Sequence, residues 1–323
     1  MKVMITGAGG FVGGFLRDYC LETGSTVLGI DHTEAKEPWT NASFEVCDVR
    51  DAANLSRLIA AFRPDRIFHL AAQSYPTVSL EKPRETIESN VVGTINLFES
   101  LNSLGLKPVV VVACSSAEYG LVASADLPVR ETHALQPLHP YGVSKVAQDL
   151  LASQYYVNYA IPTVRIRIFN TTGPGKLGDV CSDLAMRAIR IELGMDRPAL
   201  KVGNLTTRRA IADVRDLVRG LWLSTTHCEF GDVYNLGGSN IYSIQELVEA
   251  IRSQVSVNFS IEQDPPLMRA ADEPVIAGDT TKFRNRCPWA PEIPLATTLA
   301  DMLGWWRIKL IQPVPAVSQG DSR

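Results

Sequence analysis

The stretch that most constrains the fold is a glycine-rich turn near the start of the sequence. The short apolar run at residues 2–6 leads into Gly7-x-x-Gly10-x-x-Gly13, and apolar residues at helical spacing follow. Strand, glycine turn and helix in this order are the context of a dinucleotide-binding turn. Gly7 would allow a tight turn, Gly10 a close approach of the pyrophosphate, and Gly13 close packing of the helix. We therefore predict a cofactor phosphate site at this helix N-terminus, formed by Gly7, Gly10, Phe11, Val12 and Gly13.

A second predicted strand, at residues 26–30, ends at Asp31. This position is roughly twenty residues beyond the glycines, where a dinucleotide site places a carboxylate. A carboxylate there accepts hydrogen bonds from the adenosine ribose and repels a 2′-phosphate, so the sequence favours NAD over NADP. His32 and Lys36 lie close by in the sequence and would soften that preference.

Further strands are predicted at residues 44–46, 67–70 and 109–113, and they alternate with helices at 55–62 and 87–101. Alternation of this kind predicts an α/β fold, a Rossmann-type doubly wound parallel sheet with right-handed crossovers. Ligands of such sheets bind beyond the carboxyl ends of the strands. The residues that follow the third and fourth strands are therefore expected to line the cofactor: Asp48, Val49, Leu70, Ala71 and Ala72.

Tyr141 and Lys145 are four residues apart, so on a helix their side chains share one face, one turn apart. Apolar residues at helical spacing over 143–157, with Pro140 just before Tyr141, predict that helix. A phenol is a weak acid, but a neighbouring ammonium favours its ionised form and makes proton exchange with an alcohol or ketone feasible. Ser115, which follows a predicted strand, would either hydrogen-bond a substrate oxygen or cap a turn.

Composition excludes several classes of partner. The 323 residues allow one large or two moderate domains, and a net charge of −4 carries no basic footprint for nucleic acid or an anionic membrane. Six scattered cysteines without a C-x-x-C pair predict no metal site and a reducing compartment. Without a targeting segment or a membrane-spanning run, we expect a cytoplasmic protein. The aperiodic tail at 311–323 is expected to be disordered.

The glycine turn, Ser115 and Tyr141-x-x-x-Lys145 together closely resemble the extended short-chain dehydrogenase/reductase family, over nearly the whole chain. The resemblance implies a Rossmann NAD(P) domain at 1–168 plus 211–236. It also implies a smaller C-terminal α/β domain for a nucleotide sugar, at 169–210 plus 237–310. Tyr141 would be the acid/base, Ser115 would orient the reacting oxygen, and Lys145 would bind the nicotinamide ribose and lower the Tyr141 pKa. The helices at 87–101 and 141–159 would pair in a homodimer.

Motifs in the second half resemble GDP-mannose 4,6-dehydratases and GDP-4-keto-6-deoxymannose reductases, namely Phe-Asn-Thr-Thr-Gly-Pro-Gly from residue 169 and the segments at 201–216 and 268–279. By that resemblance, Arg209 and Arg269 would neutralise the pyrophosphate, and Asp272 would bind the nucleotide ribose. The implied partner is a nucleotide sugar, with GDP favoured as the nucleotide. The implied substrate contacts are Ser116, Asn170, Val202, Arg209, Arg269 and Asp272.

Two departures from these relatives narrow the activity. Ala117 stands where the dehydratases carry the acid that removes the 6-hydroxyl, so dehydration is disfavoured. Arg208–Asp213 lacks the relatives' Asp-Phe pair, which leaves the sugar and the base open. Two enzyme classes need only Ser115, Tyr141 and Lys145: an NADH-dependent C4 reductase and a C4 epimerase with a retained NAD. A protein that binds dinucleotide without turnover is the remaining class.

Overall fold

The computed structural model describes residues 1–35, 38–267 and 275–311. The strands are β1 (Lys2–Thr6), β2 (Thr26–Asp31), β3 (Ser43–Val46), β4 (Arg66–His69), β5 (Val109–Ser115), β6 (Thr163–Ile168), β7 (Thr171–Thr172), β8 (Ala199–Val202), β9 (Arg208–Ala210), β10 (Ala212–Asp213), β11 (Val233–Leu236), β12 (Ile241–Ser243), β13 (Ser260–Gln263) and β14 (Val275–Ile276).

The helices are α1 (Phe11–Glu22), α2 (Ala52–Phe62), α3 (Pro76–Glu81), α4 (Pro83–Ile87), α5 (Gly93–Ser103), α6 (Pro140–Tyr159), α7 (Val180–Glu192), α8 (Val214–His227), α9 (Ile244–Arg252), α10 (Thr281–Arg286) and α11 (Leu295–Ile311). A π-helical turn at Glu88–Val92 joins α4 to α5, and a 3₁₀ turn at Ser116–Glu118 follows β5.

Seven parallel strands form the main sheet in the order β11-β6-β5-β4-β1-β2-β3. The order reverses between β1 and β4, which makes that point the crevice where doubly wound sheets bind their ligands. This confirms the predicted Rossmann-type α/β fold. The residues after β1 and β4 are those predicted from the sequence to meet the cofactor.

Alternate residues of the central strands enter two separate cores, because successive side chains of a strand point to opposite faces. Val3, Ile5 and Val111 pack in a core with residues of α1 and α8. Met4 and Val112 pack on the opposite face, in a core with residues of α2 and α5. Both faces of the sheet are therefore covered by helices, which explains why these strands are apolar along their whole length.

The chain divides into two compact units, and the sheet belongs to the first: Met1–Thr171, Arg208–Tyr242 and Glu273–Ile293. The second comprises Thr172–Thr207, Ser243–Asp272 and Pro294–Arg323. In this second unit α7 packs against α9 and α11, and β8 pairs with β13. Glu192 of α7 forms an ion pair with Arg307 of α11, with an N–O distance of 2.6 Å.

These boundaries differ from the sequence-based ones by a few residues at each crossing and, more substantially, near the end of the chain. The sequence placed all of 237–310 in the substrate domain, whereas the chain returns to the first unit at Glu273–Ile293. The reason is packing: Phe283 and Trp289 lie in the same core as α8. The predicted disordered tail falls, apart from Ile311, outside the described residues. Within those residues, no helix has the length and apolar character needed to cross a membrane.

Candidate active site

The glycine turn after β1 has the backbone geometry that a phosphate cradle requires. Gly7 has a φ of +71°, and a Cβ there would lie 2.7 Å from the Ala71 amide nitrogen. A Cβ on Gly13 would lie 2.6 Å from the carbonyl oxygens of Gly7 and Ala8. A Cβ on Gly10 would meet only the Gly7 carbonyl oxygen, at 3.1 Å. Gly7 and Gly13 thus hold the turn closed, and Gly10 leaves its outer side open.

Helix α1 begins directly after this turn. Its N-cap is Gly10, and no side-chain hydrogen bond caps the helix at this end. The first-turn amides of Phe11, Val12 and Gly13 carry the partial positive charge of a helix N-terminus. This donor set suits the pyrophosphate of a dinucleotide, so the residues present fit the cofactor group that the sequence predicted.

Asp31, the last residue of β2, lies against the same turn. Its Oδ2 accepts a hydrogen bond from the Gly9 amide at 2.9 Å, and its Oδ1 accepts one from the His32 amide at 2.8 Å. The His32 ring also approaches Oδ1, at 2.7 Å. The carboxylate is thereby fixed beside the glycines, where the adenosine ribose of a dinucleotide would lie.

The other predicted cofactor residues lie at the same edge of the sheet. Leu70 and Ala71 follow β4, and their amides donate to the Thr6 carbonyl and hydroxyl oxygens at 3.1 and 3.2 Å. Ala72 comes next in this segment. Asp48 and Val49 follow β3, and Arg50 binds Asp48 through its guanidinium at 2.6 Å. That hydrogen bond lowers the pKa of Asp48.

Ser115, Tyr141 and Lys145 meet at the carboxyl end of β5. The Ser115 hydroxyl lies close enough to the Tyr141 phenol to lower its pKa. The Lys145 Nζ lies 5.8 Å from the centroid of the Tyr141 ring and donates to the Ala113 carbonyl at 2.7 Å. Ser115 also caps a turn, because its Oγ accepts from the Ala117 amide at 3.1 Å. Of the two roles open to Ser115 in the sequence, the structure shows the cap, and the hydrogen bond to a substrate oxygen stays a prediction.

The net shift of the Tyr141 pKa is upward, and the lowering by Lys145 that the resemblance implied stays a prediction. Burial raises the pKa of Tyr141 to about 12, and the hydrogen bond from Ser115 opposes that rise. Burial also lowers the pKa of Lys145 to about 8. Desolvation penalises the charged form of both groups and is the largest cause of both shifts.

Helix α6 presents its polar residues to the interior and part of its apolar stripe to solvent. Ser144, Lys145, Gln148 and Asp149 are buried. Three aliphatic residues of the same helix are exposed: Val143, Leu150 and Val157. The apolar periodicity correctly predicted a helix, but the inward side is the polar one. The signal that would have shown this is the polar spacing 141, 144, 145, 148, 149, which follows one helical face.

A buried histidine that sequence reasoning missed connects this face to the sheet. His69, at the end of β4, makes hydrogen bonds of 2.8 Å to Thr6 and to Thr94, one through each ring nitrogen. Gln148 of α6 donates to the same Thr94 hydroxyl at 2.7 Å. Burial, with a smaller contribution from Lys145, lowers the pKa of His69 to about 3. The His69 ring is therefore neutral, and its hydrogen bonds help to order the buried residues next to Lys145.

The turn that follows Ser115 carries the residues relevant to dehydration. Ala117 is partly buried and has no proton to transfer. Glu118 is fully buried, and its Oε1 accepts from the Ser115 amide at 2.7 Å. Its Oε2 lies 3.2 Å from the Arg167 Nε. Glu118 is therefore engaged in a capping interaction and an ion pair rather than exposed as an acid.

The predicted substrate residues are only partly brought together. Ser116 and Asn170 lie in the first unit, and the Asn170 Nδ2 is buried without a hydrogen-bond partner among the described residues. Arg209 lies in β9 of the same unit and donates to the Arg208 carbonyl at 2.9 Å. Val202 belongs to the second unit and is 1% exposed, so its side chain packs in a core. Arg269 and Asp272 lie outside the described residues.

Comparison with known proteins decides the family. The profile of the GDP-mannose 4,6 dehydratase family matches residues 4–302. The chain belongs to this family. Within it, the chain is 30% identical to the GDP-6-deoxy-D-mannose reductase of Pseudomonas aeruginosa, over 96% of this chain and 98% of that protein. It is 28% identical to the GDP-mannose 4,6-dehydratase of Yersinia enterocolitica, over 94% and 92%.

Solved structures agree with this membership of the extended short-chain dehydrogenases/reductases. The RMD structure from Pseudomonas aeruginosa, complexed with NADPH, matches with a TM-score of 0.85 and 29% identity over 95% of this chain and 99% of that one. The Thermus thermophilus UDP-glucose 4-epimerase in complex with NAD matches with a TM-score of 0.83 and 25% identity, over 95% and 99%. The family member described here is thus an NAD(P)-dependent nucleotide-sugar enzyme of the epimerase, dehydratase and reductase type.

Proposed function

We propose that the protein is a nucleotide-sugar reductase that reduces the C4 ketone of a GDP-4-keto-6-deoxyhexose. The observation that carries the proposal is the Ser115–Tyr141–Lys145 set at the end of β5, combined with a neighbouring turn that lacks a dehydratase acid. The similarity to a GDP-6-deoxy-D-mannose reductase over nearly the full length supports the choice of substrate.

In the proposed reaction the protein positions the ketone and supplies one proton. Bound NAD(P)H supplies the hydride. Ser115 donates a hydrogen bond to the ketone oxygen, and Tyr141 gives its phenolic proton to the alkoxide as that charge develops. The raised pKa of Tyr141 keeps the phenol protonated before the reaction, as reduction requires. Lys145 holds positive charge beside the resulting phenolate until solvent returns the proton.

The residues around Ser116 favour a deoxysugar as the sugar of the substrate. A cavity of about 30 Å³ beside it is lined by apolar and aromatic side chains that include Tyr119, Val129, Phe169 and Ile276. A methyl group suits this lining better than a hydroxymethyl group, because a buried hydroxyl without a partner is costly. The proposal places the C6 methyl there and gives the unpartnered Asn170 amide a sugar or phosphate oxygen to bind.

A 4,6-dehydratase is disfavoured for the same protein. That reaction requires an acid that protonates the leaving 6-hydroxyl while Tyr141 acts at C4. Ala117 has no such group, and both carboxyl oxygens of Glu118 face protein groups. The second candidate is a C4 epimerase, which uses the same Ser115, Tyr141 and Lys145 with a retained NAD. The similarity to a UDP-glucose 4-epimerase in complex with NAD supports this alternative.

NAD(H) is the proposed cofactor in preference to NADP(H). The Asp31 carboxylate lies against Gly9 at the position where a 2′-phosphate would have to fit, and two negative groups there repel each other. The NADPH bound by the Pseudomonas aeruginosa relative is the reason to test both cofactors.

We also propose a homodimer formed through α6. Val143, Leu150 and Val157 recur every seven residues, so they form one stripe, and their exposed fractions are 49%, 56% and 73%. An exposed apolar stripe along a twenty-residue helix is costly in water and suits the same helix of a second copy. The π-helical turn before α5 would contribute Val92, its last residue.

The test is to incubate the purified protein with GDP-4-keto-6-deoxymannose and either NADH or NADPH, and to follow absorbance of the reduced cofactor. Consumption matched one-for-one by a 6-deoxyhexose with a C4 hydroxyl supports the reductase. Absence of consumption, with interconversion of C4 epimers of a nucleotide sugar and no added cofactor, would support the epimerase instead. Release of water from GDP-mannose would overturn both.

A further inference from the structure

Glu118 is a buried carboxyl group close to the catalytic residues. Its burial requires an explanation, because burying an ionisable group is costly unless it is paired. It is fully buried, and Asp149, also fully buried, lies close to it. The two carboxylates share one cation, because the Arg167 Nε lies 3.2 Å from the Glu118 Oε2 and 2.9 Å from the Asp149 Oδ2. Asp149 also receives a 2.5 Å hydrogen bond from Arg165.

The position of this cluster follows from helix geometry. Tyr141, Lys145 and Asp149 are spaced four residues apart on α6, so they line one face in consecutive turns. Glu118 faces that row from the turn after β5. Ionisable groups from α6, β5, β6 and its own turn interact electrostatically with Glu118. They are Cys114, Tyr119, Tyr141, Lys145, Asp149 and Arg167.

Glu118 is the less well paired of the two buried carboxyl groups. Asp149 already has two arginine partners, whereas Glu118 has only the Arg167 guanidinium that it shares. Burial and the Asp149 carboxylate raise the pKa of Glu118 to about 8. A negative charge on Glu118 in turn raises the pKa of Tyr141 and the pKa of Lys145.

We propose that Glu118 is a positioning residue of the active site. One carboxyl oxygen holds the Ser115 backbone and the other meets Arg167, so the group fixes the turn that carries Ser115, and its charge acts on Tyr141 and Lys145. This role goes beyond catalysis by Ser115, Tyr141 and Lys145. Only its kinetic test rests on the proposed reductase function.

The experiment compares wild-type protein with Glu118→Gln, which keeps the size and the oxygen that accepts from the Ser115 amide but cannot ionise. Reduction needs a protonated Tyr141 and a charged Lys145, and the Lys145 pKa of about 8 is the lower of the two, so the high-pH limb of the kcat/KM profile reports proton loss from Lys145. Without the Glu118 anion the charged form of Lys145 is less favoured, and we expect that limb to move at least about half a unit to lower pH. Glu99→Gln is the matched control, because the exposed Glu99 accepts a hydrogen bond from Tyr155 on a different face.

A second readout needs no substrate. The folded pKa of Glu118 lies above the unfolded value of roughly 4.3, so the protonated group stabilises the fold at low pH and that contribution is lost as pH rises towards 8. The Tm of Glu118→Gln minus that of wild type should therefore rise by about 2 °C or more between about pH 5 and about pH 9. This difference tests the inference even if the ketosugar is not turned over.

The role would be overturned if the Tm difference stayed constant across pH, or if Glu118→Gln changed the height of the kcat/KM profile without moving it along the pH axis. Glu118 would then be a simple cap. If Glu118→Gln does not fold, carboxyl-carbon NMR of glutamate-labelled wild-type protein replaces it. A buried glutamate that titrates near pH 8 supports the inference. Titration of every glutamate below about pH 5 contradicts it.

Discussion

At the scale of single residues, desolvation dominates the chemistry of the site. Tyr141 and Lys145 lie close together, yet burial raises the pKa of the phenol and lowers the pKa of the ammonium. The spacing of the two residues was visible in the sequence, whereas the burial of Lys145 and the partial burial of Tyr141 were not. For a reductase this state is useful, because the acid begins the reaction protonated.

Replacing Tyr141 with Phe removes only the phenolic oxygen. We expect kcat to fall by about 10²–10⁴-fold, the usual contribution of a positioned general acid, with a nearly unchanged Kd for the dinucleotide. Stopped-flow hydride transfer and fluorescence titration with NADH would measure the two effects. Retention of more than about a tenth of kcat would contradict the role given to Tyr141.

Cofactor preference belongs to the same scale. Asp31→Asn keeps an oxygen that accepts from the Gly9 amide and removes the negative charge. We expect kcat/KM with NADPH to rise about tenfold or more relative to that with NADH, because charge repulsion of the 2′-phosphate disappears. Asp18→Asn, on an exposed carboxylate paired with Arg17, is the control and should leave the ratio unchanged. An unchanged ratio in Asp31→Asn would show that another group selects the cofactor.

At the scale of elements, the site is built where the start of α6 meets the turn after β5. Gly142, one residue after Tyr141, allows this approach, because a Cβ there would lie 2.7 Å from the Ala117 carbonyl oxygen. The His139 ring caps the same end of the helix by accepting from the Gly142 amide at 3.0 Å. The distance between Tyr141 and Ser115 is thus set by backbone contact.

Gly142→Ala tests this contact. Alanine is the better helix former, but its methyl group must push α6 away from the turn, so we expect turnover to fall about tenfold or more. Gly304→Ala is the matched control, since Gly304 lies in α11 and a Cβ there meets nothing within 4 Å. That control should stabilise the protein by about 0.5–1 kcal/mol in urea unfolding. Full activity in Gly142→Ala would show that the approach is not critical.

At the scale of the whole molecule, the reversed polarity of α6 is the unusual property. Helix α6 buries a lysine, an aspartate and a glutamine while it exposes valine and leucine side chains to solvent. The described part of the chain leaves this apolar stripe uncovered. The inward polar groups are explained by the site. The outward apolar stripe is the reason for the proposed second copy of the protein.

The dimer is tested with Leu150→Glu, which places a charge in the middle of the stripe. We expect the mass measured by light scattering after gel filtration to fall from twice 35.3 kDa to 35.3 kDa at micromolar concentration. Ile308→Glu, on an equally exposed apolar residue of α11, should leave the mass unchanged. A monomeric wild-type protein would remove the proposal without affecting the assignment of the site.

The sequence by itself determined the local structure and the list of reactive groups. Alternating apolar strands and helices predicted the parallel sheet, because strands buried on both faces must be apolar throughout. Gly7, Asp31, Ser115, Tyr141 and Lys145 were found from fixed spacings, since strand ends and helix turns place such residues at one edge. These patterns depend on neighbours in the sequence.

Only the tertiary structure decided what each group faces. Glu118 could have been an exposed acid, but the turn after β5 buries it against Arg167 and Asp149, which come from elements far away in the sequence. The inward face of α6 and the direction of the pKa shift at Tyr141 were decided in the same way. Burial and charge pairing depend on which distant segments meet, and periodicity in one segment carries no information about that contact.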